Sequence, residues 1–175
     1  MGNTSSMLTQ YDIEEVQSHC KGIFSQREII SLYERFCILD RSGKGFILED
    51  EFMAVPEFAL NPLAQRLLRI LEGVNFKEFV LLLSAFSPRA SFKEKMEFIF
   101  KVYDSDGDGK VTTSDILGVL RDLSGSFLTE KQREQVVIQA LDQAGFSSGC
   151  MLTYEDFVKV LVKANLKMEV EVPVD

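Results

Sequence analysis

Asp104-Ser105-Asp106-Gly107-Asp108-Gly109-Lys110-Val111-Thr112-Thr113-Ser114-Asp115 sets three carboxylates on alternate residues and a glycine at the sixth position. Oxygen ligands from alternate residues converge on one hard cation only where the chain turns sharply, and Gly109 supplies that turn. The first six residues match the calcium-loop pattern D-x-[DN]-x-[DN]-G. Lys110 then offers its backbone carbonyl, Thr112 its hydroxyl or a bridging water, and Val111 a short strand able to pair with a neighbouring loop. Before the loop, Phe92, Met96, Ile99, Phe100 and Tyr103 recur at three and four. The loop therefore lies between amphipathic helices, which sets it apart from an Asp/Gly-rich surface turn. The expected ligand set is Asp104, Asp106, Asp108, Lys110, Thr112 and Asp115, around one Ca2+.

The twelfth position departs from the pattern, because Asp115 stands where a Glu normally gives two oxygens. A shorter arm reaching with one oxygen moves the site towards six-coordination, which weakens calcium and opens the site to Mg2+. The same acidic position marks a repeat. Glu49-Asp50-Glu51-Phe52, Phe76-Lys77-Glu78-Phe79, Thr113-Ser114-Asp115-Ile116 and Tyr154-Glu155-Asp156-Phe157 align on Glu51, Glu78, Asp115 and Asp156, which are 27, 37 and 41 residues apart. A helix precedes each, giving helix, loop, helix four times over. Three of these loops are degenerate. Asp40 to Glu51 keeps its first, sixth (Gly45) and twelfth residues but carries Lys44 at a ligand position, so it is expected to bind calcium weakly or not at all. Glu72-Gly73-Val74-Asn75 is all that remains before Glu78, too short to enclose a cation. The fourth loop has Gly145, Ser147 and Gly149 at the carboxylate positions and is read as structural, with Leu152 supplying the strand that pairs with Val111.

Helix starts are punctuated by capping-box pairs at Ser25 and Glu28, Ser91 and Glu94, and Thr129 and Gln132. Asn61-Pro62 reads as a further start, with proline at the first helical position. The fold class is therefore all-α, in two lobes of two helix-loop-helix units each. A linker at Ser84 to Ser91, holding Pro88, divides the chain into 1–87 and 88–175. With 175 residues, 46% hydrophobic and 14 Phe, the chain is long and apolar enough to bury a core, about 70% of its unfolded surface.

Lys plus Arg minus Asp plus Glu is 19 − 27 = −8, a balance that disfavours nucleic acid and favours a cationic partner. Cys20, Cys37 and Cys150 fit neither a disulfide framework nor zinc spacing and indicate a reducing compartment. The single His19, on an N-terminal helix, assembles no Ser-His-Asp or Cys-His set, so no hydrolase is expected. Gly107 and Gly109 lack the strand and third glycine of a dinucleotide turn. A calcium buffer would need several intact loops. Met1-Gly2-Asn3-Thr4-Ser5-Ser6 fits M-G-x-x-x-[ST], marking Gly2 for N-myristoylation. One acyl chain holds a membrane only marginally, so a cytoplasmic protein with reversible membrane association is expected. Finally, Phe76, Phe79, Val80, Leu82, Leu83 and Phe86 wrap too widely round their helix for one buried face, and Phe79, Leu82, Leu83 and Phe86 are candidates for a partner groove.

With Met1-Gly2, Leu32-Tyr33-Glu34-Arg35-Phe36, Pro56-Glu57-Phe58-Ala59-Leu60-Asn61-Pro62-Leu63, Val74-Asn75-Phe76, Phe100-Lys101-Val102-Tyr103-Asp104 and Phe157-Val158-Lys159-Val160-Leu161 in order, the chain resembles the EF-hand proteins that comprise the calcineurin B regulatory proteins and the calcineurin B homologous proteins. Its Asn-Pro-Leu segment and collapsed second loop are closer to the homologous proteins. The resemblance implies a myristoylated, non-enzymatic, calcium-binding regulatory subunit whose hydrophobic groove clasps an amphipathic helix of a target. Implied targets are a Ser/Thr phosphatase catalytic subunit, a sodium/proton exchanger or, from plant relatives, a protein kinase. Relatives generally keep two or more metal loops. Retaining one implies the alternative of a largely calcium-independent scaffold, or a chaperone-like obligate subunit of a membrane transporter.

Overall fold

Three of the four helix-loop-helix units enter their second helix through a reciprocal hydrogen-bond pair, and the first through one half of it. Asn75, Thr112 and Thr153 cap the helices that start at Phe76, Thr113 and Tyr154, and Glu78, Asp115 and Asp156 return the bond three residues later. In the first unit Leu48 is the cap residue, and the Glu51 carboxylate accepts its amide at 2.9 Å. The four acidic positions of the repeat are thus the third residues of four helices, where a carboxylate satisfies an otherwise orphaned amide. That role needs no ion, and it accounts for Glu78 and Asp156 persisting beside loops that cannot ligate.

The computed structural model describes residues 8–164. Among them α1 is Gln10–His19 and α2 Gln26–Leu39, followed by β1 Phe46–Ile47, α3 Glu49–Met53 and α4 Pro56–Ala59. Next come α5 Ala64–Leu71, β2 Val74–Asn75 and α6 Phe76–Ser84. α7 Phe92–Tyr103, α8 Thr113–Ser124, α9 Glu130–Ala144 and α10 Tyr154–Lys163 complete the described chain. The architecture is all-helical apart from the loop pairings. β1 and β2 pair antiparallel with Phe46 opposite Asn75 and Ile47 opposite Val74. Val111 and Leu152 exchange both backbone bonds, at 2.9 and 2.8 Å, as expected.

Contacts group the chain into two units. One holds the described residues up to Asn61 with Leu71–Lys95; the other holds Pro62–Ile70 with the described residues from Met96 on. This grouping differs from a cut after residue 87, since α5 up to Ile70 goes with the second unit. The first unit packs Ile13, Val16, Ile29, Leu32 and Val80 together, and Ala90 joins them, so the expected linker is partly core. In the second unit, Phe157 (1% exposed) sits among Met96, Phe100, Val137 and Leu141 and meets the Phe100 ring edge-on at 5.5 Å. A buried aromatic of this kind contributes about 3–5 kcal/mol relative to alanine.

One expected boundary moves. α5 starts at Ala64, and Leu63 supplies the first helical acceptor, to the amides of Arg66 (3.0 Å) and Leu67 (2.9 Å). Pro62 lies in the turn before the helix.

Candidate metal centre

The loop after α7 begins with a residue already held. The Asp104 amide donates to the Phe100 carbonyl at 2.8 Å, which continues the helix for one more bond, and the residue is only 7% exposed. Its carboxylate accepts the amides of Asp108 (3.2 Å) and Gly109 (2.9 Å), drawing the loop into a ring. Gly109 closes that ring at φ +82°, a conformation that a side chain would strain. Asp106 and Asp108 are exposed, and one oxygen from each of Asp104, Asp106 and Asp108 lies within 4.8 Å of the others. Calcium–oxygen distances of about 2.3–2.6 Å allow ligands across the ion to be about 5 Å apart, so these three oxygens fit around one Ca2+. Three like charges this close repel by about 1 kcal/mol per pair even in water, and a divalent cation relieves that repulsion.

The far end of the loop is engaged in closing α8. Lys110 donates its amide to Asp108 Oδ1 at 2.8 Å, leaving its carbonyl as the candidate donor. Thr112 caps α8: its hydroxyl donates to Asp115 Oδ2 at 2.8 Å and accepts the Asp115 amide at 3.1 Å. Asp115 Oδ2 also accepts the Thr112 amide, at 2.8 Å, and Oδ1 accepts the Ser105 hydroxyl. Burial pushes the Asp115 carboxyl up, but the donors of Ser105 and Thr112 outweigh it, and the group stays below the ordinary carboxylate range. Ligation by Asp115 therefore has to share oxygens with helix closure.

The first loop shows the same closure with a longer arm. Asp40 accepts the amides of Lys44 (3.0 Å) and Gly45 (2.7 Å), as Asp104 accepts those of Asp108 and Gly109. Glu51, buried, spans the amides of Ser42 and Leu48, both at 2.9 Å. Burial raises its carboxyl, but the Leu48 and Ser42 amides, the Ser42 hydroxyl and the Arg41 amide together outweigh it and hold the group below its ordinary value. The loop keeps its shape by its own hydrogen bonds, with Lys44 where a ligand oxygen belongs. In the fourth loop, Gly145 ends α9 in a left-handed conformation. The second is reduced to the turn at Gly73, whose amide donates to the Ile47 carbonyl at 2.9 Å.

One contributor to the loop carries no signal in the sequence. Arg69 of α5 donates to the backbone carbonyls of Ser105 (2.6 Å), Asp104 (3.2 Å) and Lys101 (3.3 Å). Nothing in its local sequence separates it from a solvated helix cation.

An EF-hand domain pair model matches residues 93–162, which enclose this loop. The calcineurin B protein of Naegleria gruberi is 38% identical over 172 residues, covering 95% of this chain and 96% of that protein. The type 2 calcineurin B protein of Dictyostelium discoideum, also named as a calcineurin subunit, is 40% identical over 162 residues, with 90% and 87% covered. The chain belongs to the calcineurin B family. It is a calcium-binding EF-hand regulatory protein and not itself an enzyme. The calcineurin B protein of Candida glabrata, 35% identical over 162 residues, covers 90% of the chain and 89% of its own length.

Of the residues assigned to a partner groove, Phe79 is 7% exposed and packs its ring on Phe36 at 5.5 Å, so it belongs to the interior of the first unit. Leu82, Leu83 and Phe86 are partly buried, with Leu83 against the core of that unit. Leu81, 40% exposed, is the most open apolar side chain of α6. Gly2 lies outside the described residues. Among the described residues no helix is long and apolar enough to cross a membrane.

Proposed function

We propose that this calcineurin B family member is the regulatory subunit of a cytoplasmic heterodimer. It binds a single Ca2+ at Asp104 to Asp115 and clasps an amphipathic, basic helix of a Ser/Thr phosphatase catalytic subunit. The convergence of Asp104, Asp106 and Asp108 on one ion-sized space carries the calcium half of this reading. The catalytic-subunit half is supported by relatives that are named as subunits and match nearly end to end. Exchangers and kinases are the other targets that the resemblance offers. A net charge of −8 complements Lys and Arg on the flanks of the helix, and burial of its apolar face provides most of the affinity.

The surface offered to that helix is formed by Leu81 and Leu82 of α6 and Phe86 just after it. A labelled basic amphipathic peptide from such a phosphatase should bind the protein. The double substitution Leu82→Ser and Phe86→Ser should weaken capture by at least about tenfold with helical circular dichroism intact. Loss of the helical signal would assign both residues to the core and remove them from the groove.

A second reading is favoured by the first loop, which carries Lys44 at a ligand position while Asp40 and Glu51 bond its own backbone amides. Here the protein is a largely calcium-independent scaffold, or an obligate chaperone-like subunit of a membrane transporter. Capture undiminished in chelator would select it; capture that needs calcium would reject it.

Gly2 is proposed as the acylated residue, giving reversible membrane contact. The native protein should exceed the Met-less chain by one myristoyl group in intact mass, an increment that Gly2→Ala abolishes. A free or acetylated amine would refute this assignment. Asp115 makes Mg2+ a competitor for the same site.

A further inference from the structure

Helix α5 is the entering helix of the unit whose loop has collapsed, yet its Arg69 reaches the working loop. The guanidinium spans Lys101, in the last turn of α7, and Asp104 and Ser105, the first two residues of the loop. We infer that Arg69 is a positioning residue for the metal loop, clamping its first two residues so that the ligand cluster stands assembled before an ion arrives. The inference rests on the calcium reading of that loop.

Capping alone does not account for the contact. A cation near a helix C-terminus does stabilise the last carbonyls, but two of the three acceptors lie beyond α7. Asp104 is thereby pinned three ways: its amide on Phe100, its carbonyl on Arg69, and its carboxylate on the amides of Asp108 and Gly109. Ser105, whose carbonyl Arg69 also holds, gives its hydroxyl to Asp115. One side chain therefore fixes both the first ligand residue and the partner of the last.

Two effects of Arg69 oppose each other. Its positive charge disfavours a second cation, whereas the clamp removes the ordering and carboxylate repulsion that the ion would otherwise have to overcome. Arg69 is exposed, so water and salt screen its charge. Losing an outer partner of a metal ligand typically costs about 10–100-fold in affinity. Positioning outweighs charge, and exposure places the expected loss near the lower end.

Calorimetric Ca2+ titration of the full chain tests this with Arg69→Met, Arg69→Lys and Arg66→Met. Arg66 lies on the same helix but pairs with Asp122 of α8 at 2.5 Å, so its variant reports general loosening of α5. Arg69→Met should bind about tenfold more weakly. Arg69→Lys should recover only part of that, because an ammonium lacks the planar fork. Arg66→Met should match wild type. In metal-free protein, the Asp108 and Gly109 amides should exchange faster in Arg69→Met than in Arg66→Met.

Wild-type affinity or better in folded Arg69→Met would overturn the inference, as would an equal loss in Arg66→Met. Should Arg69→Met not fold, wild-type affinity in Arg69→Lys would overturn it. A wild-type chain that takes up no calcium would defeat the metal reading as well; binding that is indifferent to Arg69 defeats only this inference.

Discussion

At the residue scale, Asp115 of the proposed ligand set is one methylene shorter than the Glu that usually ends such a loop. Glu51 and Asp115 each accept the amide of the cap residue of their own helix, Leu48 and Thr112, but at the near end of the loop Glu51 accepts the backbone amide of Ser42, the third loop residue, whereas Asp115 accepts the hydroxyl of Ser105, the second. Asp115→Glu should allow the carboxylate to close α8 and still present both oxygens to an ion. Its calcium affinity relative to magnesium should rise about tenfold, equivalent to about 1.4 kcal/mol. Competition titrations of the two ions check this, and an unchanged or lower preference would show that the loop closes on its ion by another route.

At the element scale, the capping boxes set where helices begin, and Glu94 of α7 has the largest consequence. The Ser91 amide, then Lys21 and the Ser91 hydroxyl, lower its carboxyl from the usual 4.5 to about 2. The folded state thus keeps Glu94 ionised at acidities where the unfolded chain takes up a proton. Its stabilisation is fully present above pH 4.5 and is lost as pH falls towards 2. Glu94→Gln should cost about 1 kcal/mol at neutral pH. The variant's melting temperature should also decline less steeply than wild type between those two pH values. Identical pH profiles would show that Glu94 does not carry the dependence.

Elements of this kind are legible in the sequence because their signals are local. Cap pairs three residues apart, apolar residues at three and four, and alternating carboxylates all act within one turn or loop. What is not legible depends on residues far along the chain. Arg69 lies 36 residues before the carbonyl it holds most closely. On α6, Phe76, Phe79, Val80, Leu81, Leu82 and Leu83 cover every face, so periodicity cannot say which one is buried. The structure places Phe79 and Val80 inside and leaves Leu81 the most open. The start of α5 shifts because proline suits the turn before a helix as well as its first residue.

At the scale of the whole molecule, the proposed calcium loop belongs to one of four similar units. The repeat keeps its helix-closing carboxylates everywhere, and the ligand set converges at one place among the described residues. The other loops retain strand pairing and caps, which preserve the paired helices without an ion. An end-to-end match to calcineurin B proteins makes this a calcium-binding regulatory protein, and the carboxylate cluster at Asp104, Asp106 and Asp108 is the basis for proposing one ion per chain.

The number of ions per chain tests that description most directly. Calorimetric Ca2+ titration of the full protein should give a stoichiometry near one, abolished by Asp104→Ala while the helical signal is retained. A stoichiometry of two, with binding that survives in Asp104→Ala and disappears in Glu51→Ala, would place a working site in the first loop despite Lys44 and contradict the single-site reading.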